Sequence, residues 1–449
     1  MKRSAPVRFL MAMMAGAGLA GAAPAWGTAV GALGQVAAEA EAKSPPRFIR
    51  VVESKSGQNV RLELVIRSFA PAEGEGPTVD LVAAAHIADR AFYERLQAHL
   101  DAKDLVLYEG VKPAAVGGRG DEAEDGALTD EERAERTRRR IRLVAALIER
   151  HKAAVGEYPA SLDELAAGED KRIAWLAQSA AVDAWGAPLV YTVDVEGDGA
   201  RGGFNVVSYG ADGEPGGEGA AADIAFTDGP PLSEAERVSD DPGIQQRFAS
   251  ALGLVFQLDV MDHTGANWRN SDMTVEELQE RLEEAGVEAG VLFKTLDGTS
   301  FSAKLMGLVL KLIGSNPAYS AMGKVVLVDM LARADEILEA APGEMGAMMG
   351  VIIHERNRVL LDDLRAVMEN EPEVKTIGII YGAGHLADIE KRLVEEFGYV
   401  VVGEEWVPAI EVDLDAAGVP PVQAQRLRGM LKQVFDQQIK TMERRRPRR

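Results

Sequence analysis

The chain has 449 residues, of which 47% are hydrophobic, so it is long enough for two to four domains with sizeable cores. Its formal net charge of −22 excludes nucleic acid and anionic membrane as partners of the body of the chain, because like charges repel. The absence of cysteine excludes disulfides, thiolate catalysis, zinc–thiolate sites and lipid attachment through a lipobox cysteine.

The N-terminus has the layout of a secretory signal peptide. Lys2, Arg3 and Arg8 precede an apolar run, and the small-residue pattern Ala23-Pro24-Ala25 follows it. We expect residues 1–25 to be removed on export to the periplasm or the extracellular space, and residues 26–44 to be a linker. The run is short and rich in Gly and Ala, so we expect no stable membrane span after cleavage. An uncleaved signal that anchors the chain is the alternative.

Residues 45–113 have the pattern of the first half of an α/β domain. "RFIRVVES" and "NVRLELVIRSF" alternate apolar and polar residues, as the two strands of a hairpin do. "VDLVAAAH" and "DLVLYEGV" predict buried strands, and the segment between them has apolar residues at helical spacing. A strand, a helix and a second strand within this length favour a parallel βαβ unit. A polar linker at residues 114–129 follows.

Residues 243–430 predict the second half of the same domain. A largely helical stretch is followed by the long helix "GVIIHERNRVLLDDLRAVMEN", the strand "VKTIGIIY", the helix "ADIEKRLVEEFG" and the strand "YVVVGEEW". Residues 431–449 are the end of a C-terminal helix and a basic, solubilising tail. The expected fold is α/β, with a parallel or mixed sheet flanked by helices. An inserted α+β module at residues 130–227 splits it and is joined to the second half by a linker at 228–242.

The inserted module begins with an amphipathic helix and continues with ordered Gly- and aromatic-containing motifs. These residues are Tyr158-Pro159, the turn Asp183–Pro188, Tyr191, Phe204, Ser208–Gly213, Gly216–Gly219 and Asp223-Ile224. They resemble the C-terminal domain of the major pseudopilin of type II secretion systems, although Ala184 stands where that family usually has proline. The resemblance implies a long helix with a small antiparallel sheet. No hydrophobic pilin helix precedes Thr137, so we interpret the module as a borrowed fold.

The same resemblance implies a calcium site in the Gly-rich loop of the inserted module. Asp212 and Asp223 would be side-chain ligands, Tyr209 would offer its carbonyl, and Glu218 is a further candidate. Glycines let the backbone fold back, so that carbonyls and carboxylates converge on a hard cation. The alternative is a Gly-rich β-turn loop with solvated acids.

Three polar residues follow predicted strands of the α/β halves. His86 follows "VDLVAAA", Glu109 ends "DLVLYE", and His385 follows "VKTIGIIY" through the turn Gly382–Gly384. Groups just beyond the carboxyl ends of parallel strands line the ligand crevice of an open sheet. Two imidazoles and a carboxylate suit either a divalent transition metal or an acid–base pair. The turn lacks the third glycine of a dinucleotide fingerprint and the Lys-Ser/Thr of a P-loop, which argues against nucleotide binding.

These segments, with "ERN" at Glu355–Asn357, resemble the TraB/GumN/Tiki family. That family carries two Gly-x-x-His motifs, an acid after the second strand and an arginine ahead of the last motif. Gly382–His385 is an intact motif, Ala83 replaces the glycine ahead of His86, Glu109 matches the acid and Arg356 the arginine. Tiki proteins are metal-dependent proteases, and related members include erythromycin-esterase-like hydrolases and haem-binding proteins.

We therefore expect an exported metal-dependent hydrolase, with a peptidase acting on peptide or protein substrates as the leading case. His86, His385 and Glu109 would hold a divalent metal such as Mn²⁺, and Arg356 would orient the substrate or stabilise the oxyanion. A haem or tetrapyrrole-binding protein using the same pocket is one alternative. A non-enzymatic envelope interaction protein using the inserted module is another, and the oligomeric state is left open. Because the module enters soon after Glu109, we also expect it to form part of the rim and to restrict substrate access.

Overall fold

The computed structural model describes residues 47–111, 128–168, 170–195, 201–233, 236–238, 244–286, 313–333, 348 and 350–445. The predicted signal peptide 1–25, the linker 26–44 and most of the linker 114–129 lie outside the described residues. So do parts of the predicted second half, residues 287–312 and 334–347, and the end of the basic tail, residues 446–449.

The described strands run in chain order from the first hairpin to the long strand near the C-terminus. They are β1 Ile49–Glu53, β2 Asn59–Pro71, β3 Thr78–Ala84, β4 Ile87–Ala88, β5 Leu105–Tyr108, β6 Val190–Val195, β7 Arg201–Ser208, β8 Ile224–Ala225, β9 Val255–Phe256, β10 Trp268–Asn270, β11 Thr376–Gly382 and β12 Tyr399–Asp413.

The described helices fall between and after these strands. They are α1 Arg90–Asp101, α2 Asp130–Val155, α3 Leu162–Ala166, α4 Lys171–Ser179, α5 Ile244–Ala251, α6 Gln257–Val260, α7 Val275–Glu284, α8 Pro317–Leu331, α9 Arg356–Asn370, α10 Leu386–Phe397 and α11 Pro421–Arg445. One π-helical turn, Val351–Glu355, leads directly into α9.

The main sheet is mixed, with strand order β1-β2-β3-β11-β5-β10 and β12 paired to the other side of β2. β2 runs antiparallel to β1, β3 and β12, as the predicted hairpin requires. β3, β11, β5 and β10 are mutually parallel. The predicted α/β class with a mixed sheet flanked by helices is thus confirmed. The predicted βαβ unit is parallel as expected, but β11 from the second half lies between its two strands.

Apolar burial explains why the parallel strands are central. β5 is buried along its whole length, and β3 and β11 are buried except near their ends, as expected of strands covered on both faces. Leu360, Leu361 and Leu364 of α9 belong to the same core cluster as these strands. α1 packs closely on β11, since a Cβ added at Gly378 would come 2.6 Å from Leu100 Cδ2.

The inserted module has its own hydrophobic core, built by the long helix α2, the helices α3 and α4, and the antiparallel sheet β6-β7-β8. Asp183 organises its central turn by accepting hydrogen bonds from the Trp185 and Ala187 amides, both at 2.9 Å, and from Ser208 Oγ at 2.6 Å. A helix followed by a small antiparallel sheet is the arrangement that the sequence predicts for this module.

Among the described residues, no helix is both long and apolar enough to cross a membrane.

Candidate functional site

Three parallel strands bring the predicted site residues to one edge of the sheet, which we call the carboxyl edge. β11 lies between β3 and β5, with Gly382 opposite Ala84 and Ile380 opposite Tyr108. His385 therefore emerges between the chain segments that carry His86 and Glu109. The Glu109 amide donates to the Ile380 carbonyl at 3.0 Å, which continues the pairing one residue past β5.

A buried ion cluster forms the base of this edge. Arg356 donates from Nη2 to Glu109 Oε1 at 2.8 Å and to Asp272 Oδ2 at 2.5 Å, and from Nε to Asp272 Oδ1 at 2.8 Å. The side chain of Asp272 is fully buried, and those of Arg356 and Glu109 are 8% and 15% exposed. One guanidinium is thus shared by two carboxylates, and the cluster carries a formal charge of −1.

Glu109 remains ionised despite its burial. Burial raises its pKa, but the charges of Arg356, His385 and His86 and a hydrogen bond from the Gly382 amide at 2.5 Å together lower the pKa to about 2. Asp272 and Glu109 in turn outweigh the effect of burial on Arg356 and raise its pKa above the ordinary value. Glu109 is the partly exposed carboxylate of the cluster, whereas Asp272 is fully buried.

The lack of a side chain at Gly382 leaves room for the carboxylate of Glu109. Its backbone is extended, with φ −52° and ψ 135°, so no left-handed conformation demands glycine there. A Cβ at this position would stand 3.2 Å from Glu109 Oε2. Although the sequence predicts that Gly382 lies in a turn, its own backbone conformation continues the strand. The chain turns instead through the 3-10 helix Ala383–His385.

His385 is held from both sides. Its Nδ1 lies 2.7 Å from Asn357 Oδ1, and its Nε2 lies 3.7 Å from Glu109 Oε1. The ring packs edge-on against Tyr381, with centroids 5.4 Å apart. Burial lowers the pKa of His385, although Glu109 opposes this effect. The ring is thus a buried, mainly neutral imidazole directed at an ionised carboxylate.

His86 occupies a different position from His385. Ala83 lies opposite Tyr381 in the sheet. His86 comes three residues after Ala83, whereas His385 comes four residues after Tyr381. The chain then continues into β4, and the His86 carbonyl accepts from the Gln257 amide at 2.8 Å. The side chain of His86 is exposed at the rim, although its charge acts on both Glu109 and His385. Both histidines follow parallel strands as predicted, but His385 is buried and His86 is exposed.

Two residues of the site were not predicted. Asp272 follows β10, which has three residues and one apolar side chain, too weak a pattern to identify as a buried strand. The strand-end argument applied there would have found it. Asn357 lies next to Arg356 in the same "ERN" segment, and its Nδ2 donates to the His385 carbonyl at 3.1 Å and to Asp388 Oδ2 at 2.9 Å. Its complete burial marks it as a partner of the site.

The Gly-rich loop of the inserted module folds back on itself. Asp223 Oδ1 accepts from the Gly216 amide at 2.9 Å, and Asp212 Oδ1 accepts from the Glu214 amide at 3.1 Å. A Cβ at Gly217 would lie 2.3 Å from the Ala221 carbonyl oxygen, so only glycine fits. Tyr209 and Glu218 flank the two 3-10 turns of this loop. These contacts tie both acids to backbone amides of the loop, and its role in calcium binding stays a prediction.

No group of three or more His, Asp or Glu side chains is arranged to hold a metal ion in the part of the chain that the structure describes. This applies to both predicted metal sites. A calcium site in the loop would have to draw on backbone carbonyls. A transition-metal site at the carboxyl edge would require a side chain to move.

The inserted module contacts the strand that carries Glu109. Trp175 of α4 donates from Nε1 to the Tyr108 hydroxyl at 2.7 Å, and Tyr108 directly precedes Glu109. Lys171 of α4 lies 2.7 Å from Asp262 Oδ2, just after α6. Buried His263 packs between Tyr108 and Trp268, with ring centroids 4.9 Å and 5.2 Å away, and burial lowers its pKa to about 4. The module is thus docked beside the carboxyl edge.

The ion cluster predicts a pH-dependent stability difference between the wild type and Glu109→Gln. The pKa of Glu109 is lower in the folded protein than the ordinary value of 4.5, so its contribution is present above pH 4.5 and is lost as the pH falls through about 2. We expect Glu109→Gln to lower the free energy of unfolding by about 3 kcal/mol at pH 7 and by progressively less below pH 4.5. Denaturant unfolding of both proteins, from pH 7 to below pH 4.5, measures this difference in the free energy of unfolding. The exposed Glu395→Gln serves as the control, and a gap that is constant with pH would contradict the prediction.

Comparison with known proteins bears on the inserted module. The family model described as type II secretion system protein G matches residues 127–227, which is 101 of the 449 residues. The matched range extends from just before α2 to just past β8, so it covers the long helix and the small sheet. No curated protein and no solved structure matches the chain significantly. The predicted likeness of this module to the type II secretion pseudopilin is thereby confirmed.

Proposed function

We propose that this protein is an exported hydrolase whose reactive groups are Glu109 and His385 at the carboxyl edge. One observation carries the proposal: an ionised carboxylate and a buried imidazole nitrogen face each other at 3.7 Å, with Arg356 shared between Glu109 and a second carboxylate. Buried ion clusters are costly, and strongly perturbed groups in such a setting concentrate at functional sites. The resemblance to the TraB/GumN/Tiki family supports the same residues and stays a prediction.

The imidazole of His385 and the carboxylate of Glu109 are donor types that fit a divalent transition metal. Two ligands at about 2.0–2.2 Å from one ion span up to about 4 Å, which accommodates the 3.7 Å between His385 Nε2 and Glu109 Oε1. The formal charge of −1 also favours a cation. His86 stands exposed at the same edge and would have to turn inward as the third ligand. A metal held there supplies a Lewis acid and an activated water for hydrolysis.

The residues of the chain have separate tasks in this proposal. Glu109, with its pKa near 2, stays ionised and would hold a cation at the edge or accept a hydrogen bond from a water there. His385 presents an imidazole nitrogen to the same point. Arg356, fixed by Asp272, keeps Glu109 in place and offers its guanidinium to a carboxylate or oxyanion of the substrate. A peptide is the substrate class that the family resemblance favours.

An envelope or exported location is consistent with the match of the inserted module to a type II secretion protein. The predicted signal peptide supports the same location. This match also favours the second candidate function, in which the module recruits a partner in the envelope.

The hydrolase proposal predicts the behaviour of histidine variants. We expect the purified protein to cleave members of a peptide library in the presence of Mn²⁺ and not with a chelator. His385→Ala and His86→Ala should each lower this rate at least about 100-fold, because each removes a ligand or proton acceptor. His151→Ala, in the inserted module, is the matched control and should leave the rate unchanged.

Full activity in both site variants would overturn the hydrolase proposal. Binding of a partner by residues 127–227 that is unaffected by either variant, in a protein without hydrolysis, would support the interaction function instead. A haem Soret band lost in His385→Ala would support the tetrapyrrole alternative.

The docking of α4 predicts that the inserted module restricts access to the carboxyl edge. Replacing residues 121–238 with a short Gly/Ser linker should raise kcat/KM for protein substrates relative to short peptides. The double variant Trp175→Phe, Lys171→Met removes the hydrogen bond to Tyr108 and the ion pair to Asp262, and should shift the ratio in the same direction by a smaller amount. Lys152→Met, on α2 of the module, is the control. An unchanged size preference in the deletion would count against this role.

The calcium proposal predicts a stabilisation specific to the Gly-rich loop. Calcium at 100 times its dissociation constant should stabilise the folded module by about 2.7 kcal/mol, because the ligand binds only the folded state. Calorimetry with calcium and with chelator measures this shift in the full chain. Asp223→Ala and Asp212→Ala should abolish it, and the exposed Asp163→Ala should not. A shift that persists in both loop variants would place any bound calcium elsewhere.

A further inference from the structure

We infer that Asn357 is a positioning residue that fixes the tautomer of His385, so that Nε2 carries the lone pair directed at Glu109. This inference rests on the proposed function, because it names what prepares His385 for its task. It comes from the hydrogen bonds around one buried amide.

The two ends of the Asn357 side chain are distinguished by their neighbours. One end lies 3.1 Å from the His385 carbonyl oxygen and 2.9 Å from Asp388 Oδ2, and both of these groups accept hydrogen bonds. That end must be the amide nitrogen, which has two protons to donate. The opposite rotamer would face a carbonyl oxygen with two acceptors and is excluded by the same contacts.

The other end of Asn357 is therefore its oxygen, which lies 2.7 Å from His385 Nδ1. An amide oxygen only accepts, so Nδ1 must carry a proton. In the neutral ring, Nε2 is then the unprotonated nitrogen. Nε2 faces Glu109 Oε1 at 3.7 Å, too far for a hydrogen bond, so two acceptors confront each other with room for one donor or cation between them.

An amide oxygen that accepts a hydrogen bond from Nδ1 affects the imidazole differently from a carboxylate in the same place. A carboxylate on Nδ1 would attract a second proton to the ring, whereas a neutral amide orients the ring without adding charge. Asp388 supplies charge only to the far side of Asn357, where it anchors the nitrogen end. Second partners of this kind orient a ligating histidine, and their loss typically costs roughly 10–100-fold in affinity or activity.

The helix explains why Asn357 reaches this position. Arg356 and Asn357 are the first two residues of α9, directly after the π-helical turn, and both are buried. Arg356 contacts the acids on one side of the edge and Asn357 contacts His385 on the other. One turn of helix thus serves both halves of the site, and a π-helical turn is a known way of placing side chains at functional sites.

The test reads the tautomer directly by nitrogen NMR of the full-length protein with ¹⁵N-labelled histidine. The chain has six histidines, and His385→Gln identifies the signal of interest. In the metal-free wild type, Nδ1 should be protonated and Nε2 unprotonated. Asn357→Asp keeps an acceptor on Nδ1 but adds a negative charge, so Nδ1 should stay protonated and Nε2 should bind a second proton more readily than in the wild type. Asn357→Leu removes the acceptor, so the proton should move to Nε2 and point at Glu109.

Activity provides the second readout. Asn357→Leu should lower Mn²⁺ affinity and hydrolysis roughly 10–100-fold, and Asn370→Leu at the exposed end of the same helix should change neither. A wild-type spectrum with the proton on Nε2, or an Asn357→Leu spectrum that keeps Nδ1 protonated, would overturn the inference. If the tautomer is as stated and the wild type hydrolyses nothing, the proposed function fails and the assignment of Asn357 stands.

Discussion

The buried guanidinium of Arg356 is the constraint on which the carboxyl edge depends. A buried cation without partners costs several kcal/mol, so the fold must bring carboxylates to it from separate segments. Glu109 comes from the end of β5 and Asp272 from the segment after β10, and the Gly110 amide donates to Asp272 at 2.9 Å. The end of the sheet, the loop after β10 and the start of α9 are therefore fixed together. The position of His385 over the edge follows from this frame.

The same cluster divides its charge unevenly. Asp272 meets Arg356 with both oxygens and is fully buried, whereas Glu109 meets it with one oxygen and accepts from Gly382 with the other. A carboxylate has further lone pairs, so Glu109 retains acceptor capacity on the side of His385. In the proposed site, Asp272 therefore neutralises the cation, and Glu109 would hold the charge that a ligand meets.

Much of the strand arrangement at the carboxyl edge was predictable from the sequence, whereas the strand order and the exact positions of the side chains were not. Apolar strands ending in polar residues predicted the parallel strands and the edge that gathers His385 and Glu109. The insertion of β11 between β3 and β5 joins residues about 270 positions apart, and no local pattern encodes that order. The outward direction of His86 depends on the pairing of β4 with β9, two strands of two residues each. Asp272 was not predictable because β10, which precedes it, has only three residues and one apolar side chain.

The position of the inserted module follows from chain topology. The described chain breaks off at Val111, two residues after Glu109, and resumes at residue 128, just before the module. The contacts of α4 place the module beside the same edge of the sheet as the site. The module contacts this edge through a specific hydrogen bond, which Trp175 donates to the hydroxyl of Tyr108, the residue that precedes Glu109. This hydrogen bond links α4 of the module to the end of β5, one residue before the carboxylate that lies at the carboxyl edge.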